Sequence, residues 1–179
     1  MIERKVVIKN DQLSQFDFKN IVTVALRVEE FEWTEDFITS YQSFLPNEHT
    51  DNAIAYNRAR LYFSQKNYKK SRRELLSVEF TDIFYSLDSR SLLLKTYYEM
   101  EDFESAADLI KAFKIYLKRD KKISEYQNAT YTGFLTIANK LIRYKQGYKE
   151  NKDNIAKLLE ESAQIADSSW LKSQLNLLN

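Results

Sequence analysis

The apolar and polar residues of the chain alternate in a way that predicts amphipathic helices separated by short polar breaks. Aromatic residues follow three of these breaks at intervals of 35 residues, at Trp33, Tyr68 and Phe103. On either side of each break, apolar residues recur at about the 3.6-residue period of an α-helix. A fixed period that joins two helices at a polar break is the sequence signature of a helical repeat. The pattern therefore predicts a series of helical pairs.

Three pairs are predicted, over residues 18–46, 50–78 and 81–119. In the first pair, Asp17 and Thr34 are the expected N-caps of the two helices, because their side chains can accept from free backbone N–H groups. Beyond Lys122 the period is lost, and irregular helices are expected over 123–179. One long helix is predicted from about Ser124 to Tyr148. We expect one domain of three pairs closed by these C-terminal helices.

The composition supports an all-α fold. The 179 residues include only two Gly and one Pro, whereas turn-rich β and α/β proteins need many more. The absence of Cys excludes disulfides and thiolate catalysis. No apolar run approaches the ~18 residues of a membrane span, and the first residues do not form a signal peptide. These features predict a chain without a membrane span, in the cytoplasm.

The middle pair resembles the tetratricopeptide repeat. Its matching residues are Ala59, Tyr62, the Lys66-Asn67-Tyr68 turn and Ser71. The third pair matches at Tyr97, Asp102, Phe103 and Ala106. The resemblance implies a right-handed α-α superhelix, in which the first helix of each pair lines a concave face.

The chain departs from this family's pattern in two ways. The glycine of the turn is replaced by Glu32, Lys66 and Glu101, and arginines occupy two positions that are usually apolar, 58 and 90. Because an unpaired buried charge is costly, we expect Arg58 and Arg90 to be paired or partly exposed.

A second resemblance concerns the runs DFKNIVTVALRVEEFEW, NRARLYF and FYSLDSRSLLLKTYYE. They are similar to the C-terminal part of longer helical-repeat proteins of the Bacteroidetes that are uncharacterised. This resemblance implies a bacterial protein and a longer parent chain, and it brings no activity with it.

Catalysis receives no support from the sequence. Two glycines cannot build a phosphate-binding loop, and His49 is the only histidine, in a predicted loop. A solvated loop histidine is the more common case than a metal ligand or general base. We expect no enzyme activity, no cofactor and no metal site.

A binding surface for a protein or peptide partner is the favoured hypothesis. The repeat spacing places seven residues on the concave face: Tyr56, Asn57, Arg60, Phe63, Ser91, Lys95 and Tyr98. An asparagine, two cations and flanking aromatic rings could hold an acidic peptide or a C-terminal carboxylate. The competing interpretation is an ordinary amphipathic surface. The identity of the partner does not follow from the sequence.

A local excess of positive charge raises an alternative. Residues 111–150 hold 10 Lys and Arg against 3 Asp and Glu, although the whole chain has a net charge of +1. The candidate patch consists of Lys111, Lys114, Lys118, Arg119, Lys121 and Lys122. Such a patch could contact nucleic acid, but it could also be a solvated face that counters a helix dipole. A structural domain that associates with itself is the other alternative.

Overall fold

A computed structural model of the chain describes residues 12–47, 50–79, 83–162 and 164–178. Within these ranges the regular structure comprises nine α-helices and one short 3-10 helix, without any strand. The predicted all-α class is therefore confirmed. The helices are α1 Gln15–Arg27, α2 Phe31–Tyr41, α3 Thr50–Ser64, α4 Tyr68–Leu76, α5 Ile83–Glu99, α6 Phe103–Arg119, α7 Glu125–Lys145, α8 Lys152–Glu161 and α9 Ser168–Asn176. His49 and the expected start of the third pair at residue 81 lie outside the described residues.

The chain divides into two compact units, and the division falls inside α5, between Thr96 and Tyr97. In the first unit α3 packs along α4 and also against α1 and α2. Its core contains Phe18, Phe37 and Leu61, each at most 2% exposed. Because α3 has neighbours on three sides, little of its surface remains accessible.

The second unit is built around α7, which packs against α6, α8 and α9. Its core contains Phe113, Phe134 and Ile155, none of them exposed to solvent. Trp170 of α9 donates its Nε1–H to Glu99 Oε1 at 2.9 Å. The buried Gln174 amide donates to the same oxygen at 2.8 Å. These two bonds fix α9 against the last residue of α5.

The turn inside each helical pair has the same backbone geometry. Glu29, Lys66 and Glu101 adopt positive φ angles of 61°, 58° and 56°. In each turn the N–H of the next residue donates to the carbonyl five residues earlier, at 3.0, 2.7 and 3.0 Å. This Schellman arrangement normally uses glycine at the left-handed position. Lys66 and Glu101 therefore take the place of the turn glycine, as predicted. In the first turn that residue is Glu29 and not the predicted Glu32.

The first pair also begins its helices earlier than predicted. Ser14, and not Asp17, caps α1, because its Oγ accepts from Asp17 N–H at 3.1 Å. Helix α2 begins at Phe31, so Thr34 is a buried residue of its first turn whose Oγ1 donates to Glu30 O. The residues that open α2, α4 and α6 are thus Phe31, Tyr68 and Phe103. Trp33 is not the counterpart of the other two aromatics.

The predicted long helix of the C-terminal part is confirmed. Ser124 caps α7 in a reciprocal arrangement, since Ser124 Oγ accepts from Gln127 N–H while Gln127 Oε1 accepts from Ser124 N–H. Gly147 follows the helix with a φ of 79°. Its lack of a Cβ permits this conformation without strain, so the chain can turn toward α8.

Candidate functional site

The structure separates the seven residues of the predicted partner-binding face into two groups. Four of them are buried, with exposed fractions of 5% for Tyr56, 0% for Asn57, 2% for Ser91 and 0% for Tyr98. Tyr56 packs its ring against Tyr85, and the Asn57 amide donates to Ala53 O at 2.8 Å. Side chains this deeply packed cannot contact a partner, so the expectation that all seven line an open face is corrected for these four.

The accessible residues of the set are Arg60, Phe63 and Lys95, all half-buried. Arg60 Nη1 donates to Thr23 Oγ1 at 2.6 Å and lies 3.4 Å from Lys19 O, so it joins α3 to α1. Lys95 Nζ of α5 lies 5.6 Å from the ring centre of Phe63 on α3. These contacts hold both cations at defined positions on the first unit.

Alignment on the left-handed turn residues explains why these positions come together. Thr23, Arg60 and Lys95 each stand six residues before the left-handed residue of their own turn. They therefore occupy equivalent positions on α1, α3 and α5, the first helices of the three pairs. An alignment on Trp33 misses Thr23, because the first turn lies two residues earlier than that aromatic suggests.

Two further residues of this surface were missed by sequence reasoning. Lys19 of α1 forms an ion pair with Asp88 of α5, with side chains 15% and 28% exposed. Lys19 Nζ and Arg60 Cζ also lie 5.5 and 5.7 Å from the ring centre of Tyr56. Their signal in the sequence is weak, since a lysine on α1 has no obvious relation to an aspartate 69 residues later.

We call Lys19, Arg60 and Lys95 the cationic face. It combines three cations with one carboxylate, Asp88, on three helices of one unit. The cations are ordered by contacts with a hydroxyl, a carboxylate and two aromatic rings. A surface of this kind can bind an anionic group through charge-assisted hydrogen bonds at a reduced cost in side-chain entropy.

The basic stretch of residues 111–149 is partly neutralised within the second unit. Lys140 Nζ and Arg143 Nε donate to the two oxygens of Glu150 at 3.1 and 2.7 Å. The hydrogen bond from Arg143 and then that from Lys140 lower the pKa of Glu150. Lys145 Nζ lies 3.4 Å from Glu101 Oε1. These three cations therefore have structural partners.

The six residues of the predicted basic patch are all exposed. Lys111 pairs with Asp108 at 2.9 Å. Lys118 and Arg119 lie in the last turn of α6, where a cation is favoured by the negative end of the helix dipole. In the part of the chain that the structure describes, the other five residues of the patch have no ion-pair partner. The six cations thus lie along α6 and in the turn that follows it. The ion pair of Lys111 and the helix dipole at Lys118 and Arg119 give three of them a structural role.

Arg58 and Arg90 meet the expectation for charged residues at nominally apolar positions. Both are half-buried. Arg90 Nη1 donates to Ser86 O at 3.2 Å and to Ser86 Oγ. The predicted partial exposure of both side chains is confirmed.

Among the described residues, no group of three His, Cys, Asp or Glu side chains converges in a way that could hold a metal ion. The described helices also include none with the length and apolar character needed to cross a membrane. Comparisons of the chain with models of protein families, with curated proteins and with solved structures gave no match. The cationic face and the basic patch are therefore the features of the chain that bear on its function.

Proposed function

We propose that the chain is a protein–protein interaction module of the tetratricopeptide-like class, which binds a segment of a partner and performs no catalysis. The repeated turn geometry and the pairing of its helices support this class. The right-handed superhelix predicted from the repeat belongs to the same proposal. Its binding site is the cationic face formed by Lys19, Arg60 and Lys95.

The observation that carries the proposal is the fixed position of Arg60. A half-buried guanidinium that already donates to Thr23 retains further N–H groups, because arginine has five donors. Tyr56 covers one side of Arg60 and of Lys19. The ordered guanidinium loses less side-chain entropy on binding than a fully exposed arginine would.

The ligand that this face fits best is a peptide rich in carboxylates or ending in a free C-terminal carboxylate. A carboxylate can accept two hydrogen bonds from Arg60 while Lys95 supplies a second positive charge. Phe63, beside Lys95, offers an apolar contact for the adjoining side chain of the peptide. Asp88 opposes binding near Lys19, which directs the carboxylate toward Arg60 and Lys95.

The test uses an acidic peptide with a free C-terminus and the same peptide with a C-terminal amide. Binding is measured by calorimetry for the wild type and for Arg60→Glu and Lys95→Glu. Each reversal replaces an attraction with a repulsion, so we expect at least a tenfold loss of affinity, about 1.4 kcal/mol. The amidated peptide should bind more weakly than the free acid.

The matched control is Lys149→Glu, because it makes the same change in net charge at an exposed lysine of the second unit. It should leave peptide affinity unchanged. Circular dichroism checks that Arg60→Glu remains folded without its bond to Thr23. An acidic peptide that fails to bind the wild type, or that loses as much affinity with Lys149→Glu, would refute the proposal.

Two alternative functions predict different results for the wild type and its variants. A structural, self-associating domain would show a size that increases with concentration in light scattering and no peptide binding. A nucleic-acid module acting through residues 111–149 would lose binding on neutralisation of the exposed lysines 114 and 118 in α6, and would be indifferent to Arg60→Glu.

A further inference from the structure

A second basic surface lies in the first unit, whose sequence as a whole is neutral, with 14 Lys and Arg against 14 Asp and Glu. Four exposed cations occur within eight residues: Lys66, Lys69, Lys70 and Arg73. We call them the α4 patch, because they lie on that helix and in the turn before it. Residues 1–110 hold 14 Lys and Arg against 19 Asp and Glu, so a count over long segments conceals this cluster.

Helix stability does not account for the lysines of the α4 patch. The N-terminus of a helix carries a partial positive charge, so cations there are unfavourable. Lys69 and Lys70 lie in the first turn of α4, which has no acidic residue, whereas Arg73 lies in the last turn, where a cation is favoured. By contrast, the first turns of six other described helices contain an acid, among them Asp17 in α1 and Glu104 in α6.

Internal ion pairs do not account for the patch either. Across the described ranges, Lys66 and Lys69 have no carboxylate partner. Arg73 lies 3.5 Å from Glu74, but its side chain is 73% exposed and the two are neighbours in sequence. Such an exposed pair contributes little to stability and leaves the charge accessible to a ligand. Lys70 Nζ lies over the Tyr62 ring, 5.2 Å from its centre.

We infer that the α4 patch binds the phosphate backbone of a nucleic acid. Lys69 and Arg73 are one turn apart, about 6 Å along the helix axis, and face the same side. Lysine ammonium groups on mobile stems act as point charges that accept phosphates in many orientations. A ligand with its negative charge repeated along a chain can use all four cations, which a single carboxylate cannot.

Other anionic partners fit the α4 patch less well. A membrane surface would require exposed apolar side chains beside the cations, and α4 offers one, Leu76, at 63% exposure. The neighbouring exposed residues Ser64, Gln65 and Ser77 are polar. An acidic peptide would gain little from these four exposed cations, since their charges stay screened by water even where Lys70 lies over the Tyr62 ring and Arg73 lies beside Glu74.

The inference is tested with a labelled single-stranded oligonucleotide, as RNA and as DNA, by fluorescence anisotropy at about 50 and 200 mM salt. Four phosphate contacts predict an affinity that falls about 50-fold between these salt concentrations. In the triple variant Lys69→Gln, Lys70→Gln, Arg73→Gln one cation of the patch remains. The fall should then be about threefold, with weaker binding at low salt.

The matched control neutralises the same number of charges on α6, in the variant Lys114→Gln, Lys118→Gln, Arg119→Gln. It should retain the wild-type affinity and salt dependence. Equal losses of oligonucleotide affinity in both variants would assign binding to net charge. A loss in the α6 variant alone would assign binding to the basic patch on α6. Either result overturns the inference. No binding at low salt overturns it as well.

Two probes distinguish the other anionic partners. Polyglutamate and vesicles containing phosphatidylserine are titrated into the wild type and the α4 variant at the same salt concentrations. Tighter binding of either probe than of the oligonucleotide, lost in the α4 variant, would overturn the assignment to nucleic acid. The residues of the α4 patch are separate from the cationic face, so failure here leaves the proposed function untouched.

Discussion

Two fully buried tyrosines, Tyr85 and Tyr98, differ in the hydrogen bonding of the hydroxyl group. Both rings are 0% exposed. Tyr85 Oη donates to Gln15 O at 3.4 Å in the first unit. In the second unit, the Tyr98 hydroxyl has no hydrogen-bond partner among the described residues. Burial, and then the Glu99 and Glu101 carboxylates, raise the pKa of Tyr98 above its usual range, so the phenol stays neutral.

We predict opposite effects for the corresponding phenylalanine variants. Tyr98→Phe removes a hydroxyl that was desolvated without compensation, so stability should stay constant or rise by up to about 1 kcal/mol. Tyr85→Phe removes the hydrogen bond to Gln15 O and should cost about 1 kcal/mol. Urea denaturation followed by circular dichroism measures both. A loss of more than about 1 kcal/mol in Tyr98→Phe would show that its hydroxyl makes a stabilising contact.

At the scale of the element, the three left-handed turns place non-glycine residues where glycine is normally preferred. Glu29, Lys66 and Glu101 each carry a Cβ in this conformation, which costs roughly 1–2 kcal/mol relative to the right-handed helix region. The three turns nonetheless form, because the Schellman hydrogen bonds and the packing of the paired helices determine them.

Glu29→Gly should therefore stabilise the protein by about 0.5–1 kcal/mol. The gain from relieved strain exceeds the added entropy of glycine in the unfolded chain. Glu32→Gly is the matched control, since Glu32 is an exposed residue of α2 with right-handed helical geometry. This variant should lose up to about 1 kcal/mol of stability, because glycine is unfavourable within a helix. Thermal and chemical denaturation of both variants gives the sign. Stabilisation by Glu32→Gly would favour the turn position inferred from the sequence period.

The sequence predicted the helices better than it predicted which candidate site residues are accessible. Helical period and the near absence of Gly and Pro were enough for the all-α class, whereas the caps predicted for the first pair, Asp17 and Thr34, were wrong because both helices begin earlier. The first turn was predicted too late in the chain, because the prediction was aligned on Trp33 although Phe31 is the residue that opens the helix. Local periodicity cannot distinguish two aromatic residues that are two positions apart when both lie on an amphipathic segment.

The candidate site was only partly predictable for a different physical reason. Whether Tyr56 or Arg60 is accessible depends on which helices cover α3, and that depends on contacts between residues far apart in sequence. Arg60 was predicted from the repeat spacing, and it stays accessible where Tyr56 does not because charge resists burial. Lys19 and Asp88 were missed because their ion pair spans two helices that no local motif relates.

At the scale of the whole molecule, the two compact units share one continuous helix. Helix α5 has 17 residues, and the division between the units falls three residues before its end. Helix formation is cooperative, because ending a helix in its interior exposes backbone groups that had intrahelical partners. Unfolding one unit alone would require α5 to end at the division, so we expect the units to unfold together.

The two tryptophans make this expectation measurable, since Trp33 belongs to the first unit and Trp170 to the second. Trp170→Phe leaves Trp33 as the fluorescent reporter, and Trp33→Phe leaves Trp170. Within each variant, the urea midpoint from fluorescence should coincide with the midpoint from far-ultraviolet circular dichroism, which reports both units. This comparison is independent of any stability that Trp170→Phe loses with its bond to Glu99. Midpoints that differ by more than the experimental error would mean that α5 does not couple the units and that each folds as a separate domain.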